Sequence, residues 1–325
     1  MNKSQGWLRH CLLVAACGIG EVAAQGASIP LAPTWSVNEY NNPAPNGVHV
    51  TLTGESASGY TYSGTGTGGL PGSTTPDSRR RPKIYQDFAA FNAGGIGSKI
   101  SLTYDIKWNG NVNPSNQNAA WRFGFISSTA NGGKGVSLGA DFDIGNLAGT
   151  VFYEFFTDTS VTSGEAGSGV MDSAFTETLN AASDGIARIA QSAAVPPGNN
   201  VAFNDRVKTH RVILTLEKIL DGYNLGFTWQ NLAVGGTTVS NSTSITTSDF
   251  DPSVALAAGI ANWDRIAFFV NADVVSGTEP WAYTLSNVSV DGVAVPEPAC
   301  IGLTAIAMFA IVCRSRRRVN RKSAG

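Results

Sequence analysis

Between its two ends the chain has no cysteine. Only four of its 325 residues are cysteine (Cys11, Cys17, Cys300 and Cys313), and all four lie in the terminal segments. The body therefore folds without disulfides, and cysteine nucleophiles, CxxC redox pairs and thiolate metal sites are excluded from it. Histidine is nearly as scarce, with His49 and His210 alone in the body. Two separated imidazoles do not populate a histidine metal cluster, and no Gly-x-Ser-x-Gly elbow accompanies them. A phosphate-binding loop is missing too, because GTGTGGLPGS (64–73) lacks the Gly-Lys-Ser/Thr ending and the following helix.

Positive charge is also depleted from the body. The whole chain has a formal net charge of −2. Residues 1–24 hold Lys3 and Arg9 against Glu21, and residues 299–325 hold six arginines and lysines, so the body keeps 14 basic and 23 acidic residues, a net charge of −9. An acidic surface repels phosphate backbones, which excludes nucleic acid as a partner. A body of this length buries one substantial core. Its one basic cluster, Arg79-Arg80-Arg81-Pro82-Lys83, reads as a solvated loop.

Apolar runs are confined to the termini. Residues 1–24 place Lys3 and Arg9 before an apolar core from Cys11 to Gly20 and then EVAAQ, the layout of a secretory signal peptide cleaved after Ala24. Val14-Ala15-Ala16-Cys17 also resembles a lipobox, which would lipidate Cys17. At the other end, residues 299–313 carry no charge and are closed by Arg314, Arg316, Arg317 and Arg318. As a helix this run covers about 22 Å against a hydrocarbon core of about 30 Å. It enters a bilayer only with snorkelling arginines and local thinning, its basic end cytoplasmic and the body on the other side. The proline pair Pro296 and Pro298 keeps the preceding segment extended at the outer membrane face. The plain alternative is an ordinary C-terminal anchor helix.

The order Val-Pro-Glu-Pro, apolar run, arginine cluster (295–325) resembles the PEP-CTERM sorting signal of Gram-negative bacteria that make extracellular polysaccharide. That resemblance implies an exosortase, a membrane-embedded processing enzyme, which recognises Pro296, Glu297 and Pro298 and cuts nearby. The protein would be its substrate: exported, transiently anchored in the inner membrane, then moved to the cell surface or extracellular matrix.

The body reads as a series of short strands. In KISLTYDIKW (99–108), Ile100, Leu102, Tyr104, Ile106 and Trp108 alternate with polar residues, a period of two that buries one face. Trp121, Phe123 and Phe125 repeat the pattern, and VFYEFF (151–156) is apolar on both phases except for Glu154. HRVILTLEKILDGYNLGFTWQN (210–231) reads as a hairpin turned at Asp221-Gly222. RIAFFVNA (265–272) and WAYTLSNVSVDG (281–292) add two strands, and HVTLTG (49–54) another. The glycine-rich stretch 59–76 reads as mostly loop, and 172–194 as a surface insertion with a helical turn or two. Many short strands with little helix predict an all-β antiparallel sandwich over residues 25–294, best patterned over 95–292.

The strand pattern, ending in Tyr-x-Leu-x-Asn-Val-x-Val (283–290), is similar to concanavalin A-like, laminin-G-type jelly rolls. That resemblance implies carbohydrate binding, with extracellular polysaccharide as the partner. A purely structural matrix role and a divergent glycosidase are the alternatives.

Residues able to carry chemistry are few. Asp141 and Asp143 flank Phe142, and alternation sets both carboxylates on one side of the chain, where they would share a Ca²⁺ with backbone carbonyls; otherwise they are solvated acids at a strand edge. Glu154 is a lone acid in an aromatic strand. The laminarinase-type enzymes of the resembled fold carry a Glu-x-Asp-x-x-Glu strand, which neither GADFDIGN (139–146) nor FYEFF (152–156) matches. No catalytic residue, cofactor or enzymatic activity is assigned. Aromatic rings stack on sugar faces, and Trp263 and Trp281, beside acids at strand beginnings, are the candidates for exposed ones. Because the body has no thiol, its thermal midpoint, measured with and without dithiothreitol, is expected to be the same.

Overall fold

Alternation of apolar and polar residues turns into strand after strand, because each pleated segment can bury one face only against a second sheet. The computed structural model describes residues 26–38, 49–65, 83–108, 120–133, 135–143, 153–158, 186–191, 208–236, 238–271 and 282–296. Its strands are β1 (Ala27–Ile29), β2 (Ser36–Asn38), β3 (His49–Ser56), β4 (Gly59–Thr65), β5 (Lys83–Asn92), β6 (Lys99–Trp108), β7 (Ala120–Ser127) and β8 (Val136–Asp143). They continue as β9 (Tyr153–Asp158), β10 (Ile186–Gln191), β11 (His210–Ile219), β12 (Gly222–Asn231), β13 (Thr238–Thr246), β14 (Asn262–Asn271) and β15 (Ala282–Val293).

The strands form two antiparallel sheets. One runs β13-β12-β11-β6-β15-β4-β3, with β1 paired to β15; the other runs β10-β9-β8-β7-β14-β5-β2. The chain crosses repeatedly from one sheet to the other, as between β5 and β6, β6 and β7, β13 and β14, and β14 and β15. This is the jelly-roll sandwich of the sequence expectation. One α-helix, α1 (Pro252–Ala258), lies between β13 and β14. Asp251 caps it by accepting from the Ser253 and Val254 amides, Pro252 opens it, and Val254, Ala257 and Ala258 enter the core.

Side chains on the facing phases of the two sheets make the core. Ile100, Leu102, Tyr104 and Ile106 meet Trp121, Phe123, Phe125, Ile266 and Phe268, all of them buried. Aromatic rings dominate the middle. Trp121 lies 4.9 Å from Tyr283 and 5.5 Å from Trp108 between ring centroids, both pairs edge-on, and Tyr104 meets Phe268 edge-on at 4.9 Å. Such rings bring polar atoms into a dry layer, where an unpaired N–H or O–H is costly. Here the handles find one another. The Trp121 indole donates to the Tyr104 hydroxyl at 2.7 Å, and the Trp263 indole reaches the Tyr223 hydroxyl at 3.4 Å. Both bonds join one sheet to the other. Tyr223 in turn donates to the Ile260 carbonyl, Tyr60 pairs with Tyr283 at 3.1 Å, and the Trp229 indole donates to His210 Nδ1 at 3.1 Å. Burial pushes the Tyr60, Tyr104 and Tyr283 hydroxyls well above the usual tyrosine range, and Tyr223 up to about 12.

Several sequence expectations need correction. Residues 59–65 are a strand, not loop. Tyr60 and Tyr62 supply its buried phase, and Gly59, at φ +156°, permits an approach to the Leu285 carbonyl that a Cβ would block. IARIAQ (186–191) is β10, paired antiparallel with β9, not helical; the rest of 172–194 lies outside the described residues. The β11–β12 hairpin pairs Ile219 with Gly222, so its loop is Leu220-Asp221, one residue earlier than expected. Gly222 is needed because a Cβ there would strike the Ile245 carbonyl of β13. The strand β13 and helix α1 carry no clear pattern in the sequence. Among the described residues no helix is long and apolar enough to cross a membrane; residues 1–24 and 297–325, where the sequence predicts a signal peptide and a membrane-entering run, lie outside them.

Replacing Tyr104 by Phe strands the Trp121 indole N–H in the dry layer. Denaturant titration of Tyr104→Phe is expected to show a loss of about 1–3 kcal/mol.

Candidate functional site

Each sheet has an outward phase as well as a core phase, and the two outward faces differ. On the eight-stranded sheet that face is hydroxyl-rich. Outward positions of β12 and β13 are Asn224, Gly226, Thr228, Ser240, Ser242 and Ser244, paired across the ladder. Gly226 has no side chain, and a shallow depression of about 430 Å³ opens there between Ile213, Thr215, Thr228, Ser240 and Ser242. Its hydroxyls already bond one another, as Thr228 does with Ser240 at 3.1 Å. The same face carries a bidentate pair, with Arg211 donating to Asp105 at 2.8 and 2.9 Å and Asn287 donating to it at 2.7 Å. These bonds push the Arg211 guanidinium up. Asn287 has a positive φ of 54° at the point where the β15 register shifts. Asp105 is thus occupied in holding a β-bulge.

The seven-stranded sheet presents a different face. In β7 the core phase is Trp121, Phe123 and Phe125, which leaves Arg122, Gly124 and Ile126 on the other. The ladder continues these positions outward in rows. Arg122 is in register with Phe269 of β14 on one side and Asp141 of β8 on the other. Asp141 is in register with Glu154 of β9, and Glu154 with Gln191 of β10. Positions 122, 141, 154 and 191 are therefore in register across four adjacent strands, whose backbones are spaced about 4.8 Å apart. The next row holds almost no side chain: Ala267, Gly124 and Gly139, with Phe156 beyond. Ala267, Gly124 and Gly139 are all buried. A Cβ on Gly124 would stand 2.8 Å from Gly139 Cα and 2.8 Å from the Leu138 carbonyl oxygen, so the two strands approach too closely there for any other residue.

The middle of this face is dry. Arg122, Ser137 and Ala267 have no exposed surface, and Ile126 has 1%. Charges in a dry setting interact strongly and must be paired or hydrogen-bonded. Toward the β5 side the face becomes wet: Arg265 lies over the Tyr85 ring at 4.3 Å and pairs with Asp87, itself 58% exposed.

The expected site residues fare unequally. Trp263 is not at the surface. It is fully buried in β14, packed near Phe125 and Tyr223, because the register shift between Trp263 and Arg265 carries it onto the core side with Ile266 and Phe268. Trp281 lies outside the described residues, as do Ala24, Glu297, Pro298, Arg314, Arg316, Arg317 and Arg318. Asp141 and Asp143 end β8, an interior strand between β7 and β9 and not an edge strand. Among the described residues no three metal-binding side chains converge, and the side chains of Asp141 and Asp143 lie outside those described. Glu154 is not alone in the fold: its register partner is Asp141. Sequence reasoning missed Arg122 and Gln191, and the signal for Arg122 was a charge inserted in the aromatic run Trp121–Phe125.

The strand order defines the class, a two-sheet antiparallel jelly-roll sandwich. No family model matches the chain, and no curated protein matches it. Solved structures similar to it include an endo-1,3-beta-glucanase from Streptomyces sioyaensis, at 12% identity and a TM-score of 0.45 over 83% of this chain and 97% of that one. Arcelin-5, a lectin-like defence protein from Phaseolus vulgaris, matches at 8% identity and a TM-score of 0.40 over 80% and 98%. A PL7 alginate lyase from Zobellia galactanivorans matches at 12% and 0.34 over 80% and 95%.

Because β7 and β8 approach so closely at Gly124 and Gly139, Gly124→Ala forces two backbones apart. A loss of about 1–3 kcal/mol in thermal or denaturant unfolding is the expected result.

Proposed function

We infer that the protein is an exported surface or matrix protein that binds an extracellular polysaccharide on the hydroxyl-rich outward face of its eight-stranded sheet. The observation that supports this most is the open depression at Gly226, lined by Thr215, Thr228, Ser240 and Ser242. Sugar hydroxyls are both donors and acceptors, and a row of threonine and serine hydroxyls offers both kinds. Gly226, with no side chain, gives a flat ring room to lie against the sheet. On this reading the body spans residues 25–294, the signal peptide ends at Ala24, and residues 295–325 are a sorting tail processed by an exosortase at Pro296-Glu297-Pro298. The tail holds the body outside the inner membrane of a Gram-negative cell until that step.

A second reading rests on one pair. Asp141 and Glu154 are directly opposed on neighbouring strands, which sets their backbones at about 4.5–5.5 Å. Retaining glycosidases hold two carboxyls about 5–5.5 Å apart. On that reading, a divergent glycosidase, Asp141 and Glu154 are the acid pair.

One set of proteins tests both. The secreted protein and its Thr228→Ala, Ser242→Ala and Glu154→Gln variants are assayed on a polysaccharide panel by pull-down and by reducing-sugar release. Retention weakened at least roughly tenfold in Thr228→Ala and Ser242→Ala, with no sugar released, is the expected outcome. Sugar release lost in Glu154→Gln establishes the enzyme instead. No retention by the wild type on any polysaccharide leaves the purely structural role.

A further inference from the structure

The last strand does not end in a free linker. β15 is paired on both sides near its end, with Ala27 of β1 opposite Gly292 and Lys99 of β6 opposite Val293. Two residues later Val295 is gripped again. Its N–H donates to the Ser98 hydroxyl at 2.9 Å, and that hydroxyl donates to the Val295 carbonyl at 3.4 Å. A Cβ on Gly95 would overlap the same carbonyl, and Gly97 lies 3.8 Å from a Val295 methyl by the same measure. Both backbone polar groups of Val295 are therefore spent on one turn, and Gly95 is the residue that lets the chain come so close.

The turn itself is fixed. The Ser98 amide donates to the Gly95 carbonyl at 3.0 Å, Gly97 donates to the Lys218 carbonyl at 2.8 Å, and Lys218 donates to the Ser98 carbonyl at 2.7 Å. Ser98 is completely buried. The dock is thus continuous with the end of β11 and moves only if that end moves.

Val295 is also the residue that leads into Pro296-Glu297-Pro298. We propose that the Gly95–Ser98 turn is a clamp that sets the register of tail processing, so that the cut falls after Val295 and the mature body keeps it docked. This rests on reading residues 295–325 as a sorting signal. The physical argument has two parts. A processing enzyme that grips an extended substrate needs its backbone N–H and C=O groups, and those of Val295 are taken while Pro296 has no N–H to offer. From Pro296 to the apolar run at Ala299 the chain spans only about 10 Å, so the docked body sits close against the membrane face and leaves no slack upstream. Gly95 and Ser98 are positioning residues: they touch the substrate segment and not the reacting atoms.

The test expresses the full chain in a host with the matching exosortase, as wild type, Ser98→Ala and Gly95→Ala. Intact mass of the secreted product reads the C-terminus, and near-ultraviolet circular dichroism of the aromatic core checks folding. The wild type is expected to end at a single residue, Val295 or one beyond it. With a hydrogen-bonding hydroxyl removed, or with a Cβ in the dock, the undocked fraction rises roughly tenfold and the ends become ragged back toward Val293. Ser98→Ala carries the test alone if Gly95→Ala does not fold, since it adds no atoms. A wild type cut before Val295, or folded variants with the same single end as the wild type, overturns the clamp and leaves the sorting signal standing. An uncleaved wild-type tail in that host removes both.

Discussion

Two hydrogen bonds across a dry gap hold the sandwich in one arrangement. Trp121 to Tyr104 and Trp263 to Tyr223 each join a strand of one sheet to a strand of the other. Apolar packing alone tolerates sliding between two sheets, because methyl groups have no direction. An indole N–H buried with no acceptor does not, since the group must be satisfied where it stands. The two sheets are therefore fixed in relative position by their polar handles, and the ring contacts of Trp108, Tyr283 and Phe268 fill the space that results. Whatever the outward faces do depends on this, because the outward rows inherit their alignment from the core rows.

That dependence is plainest at Arg122. Its neighbours Trp121 and Phe123 are committed to the core, so alternation sends Arg122 to the other face. The ladder then fixes who stands beside it: Asp141 by pairing of β7 with β8, and Glu154 by pairing of β8 with β9. A slip of one residue would exchange every outward side chain for a core one. The Gly124–Gly139 approach resists such a slip, because the neighbouring residues on either strand carry a Cβ that does not fit. The alignment of positions 122, 141 and 154 and the close Gly124–Gly139 approach are thus two results of one register.

Parts of this were readable in advance for a physical reason. KISLTYDIKW and the β11–β12 hairpin show clean period-two alternation because one face of their sheet is wet. β4 was hidden because its outward residues are Thr, Ser and Gly, which mark loops as readily as strands. β13 was hidden because TVSNSTSIT buries only Val239 and Ile245 fully. Trp263 was misplaced because flanking acids suggested exposure, whereas Asp264 bonds Ser128 at the end of the neighbouring strand and the ring turns inward.

The amino-acid order by itself settled the class of fold, the absence of thiol chemistry in the body and the acidic character of its surface, since these follow from composition and local period. It also set out the Pro-Glu-Pro segment and the apolar run behind it. Only the tertiary structure decided that Glu154 pairs in register with Asp141, that Trp263 is core, and that Val295 is held by Ser98 rather than hanging free. Each of these joins residues distant in sequence or set by strand register. No local pattern encodes such a meeting; it exists only once the sheets have paired.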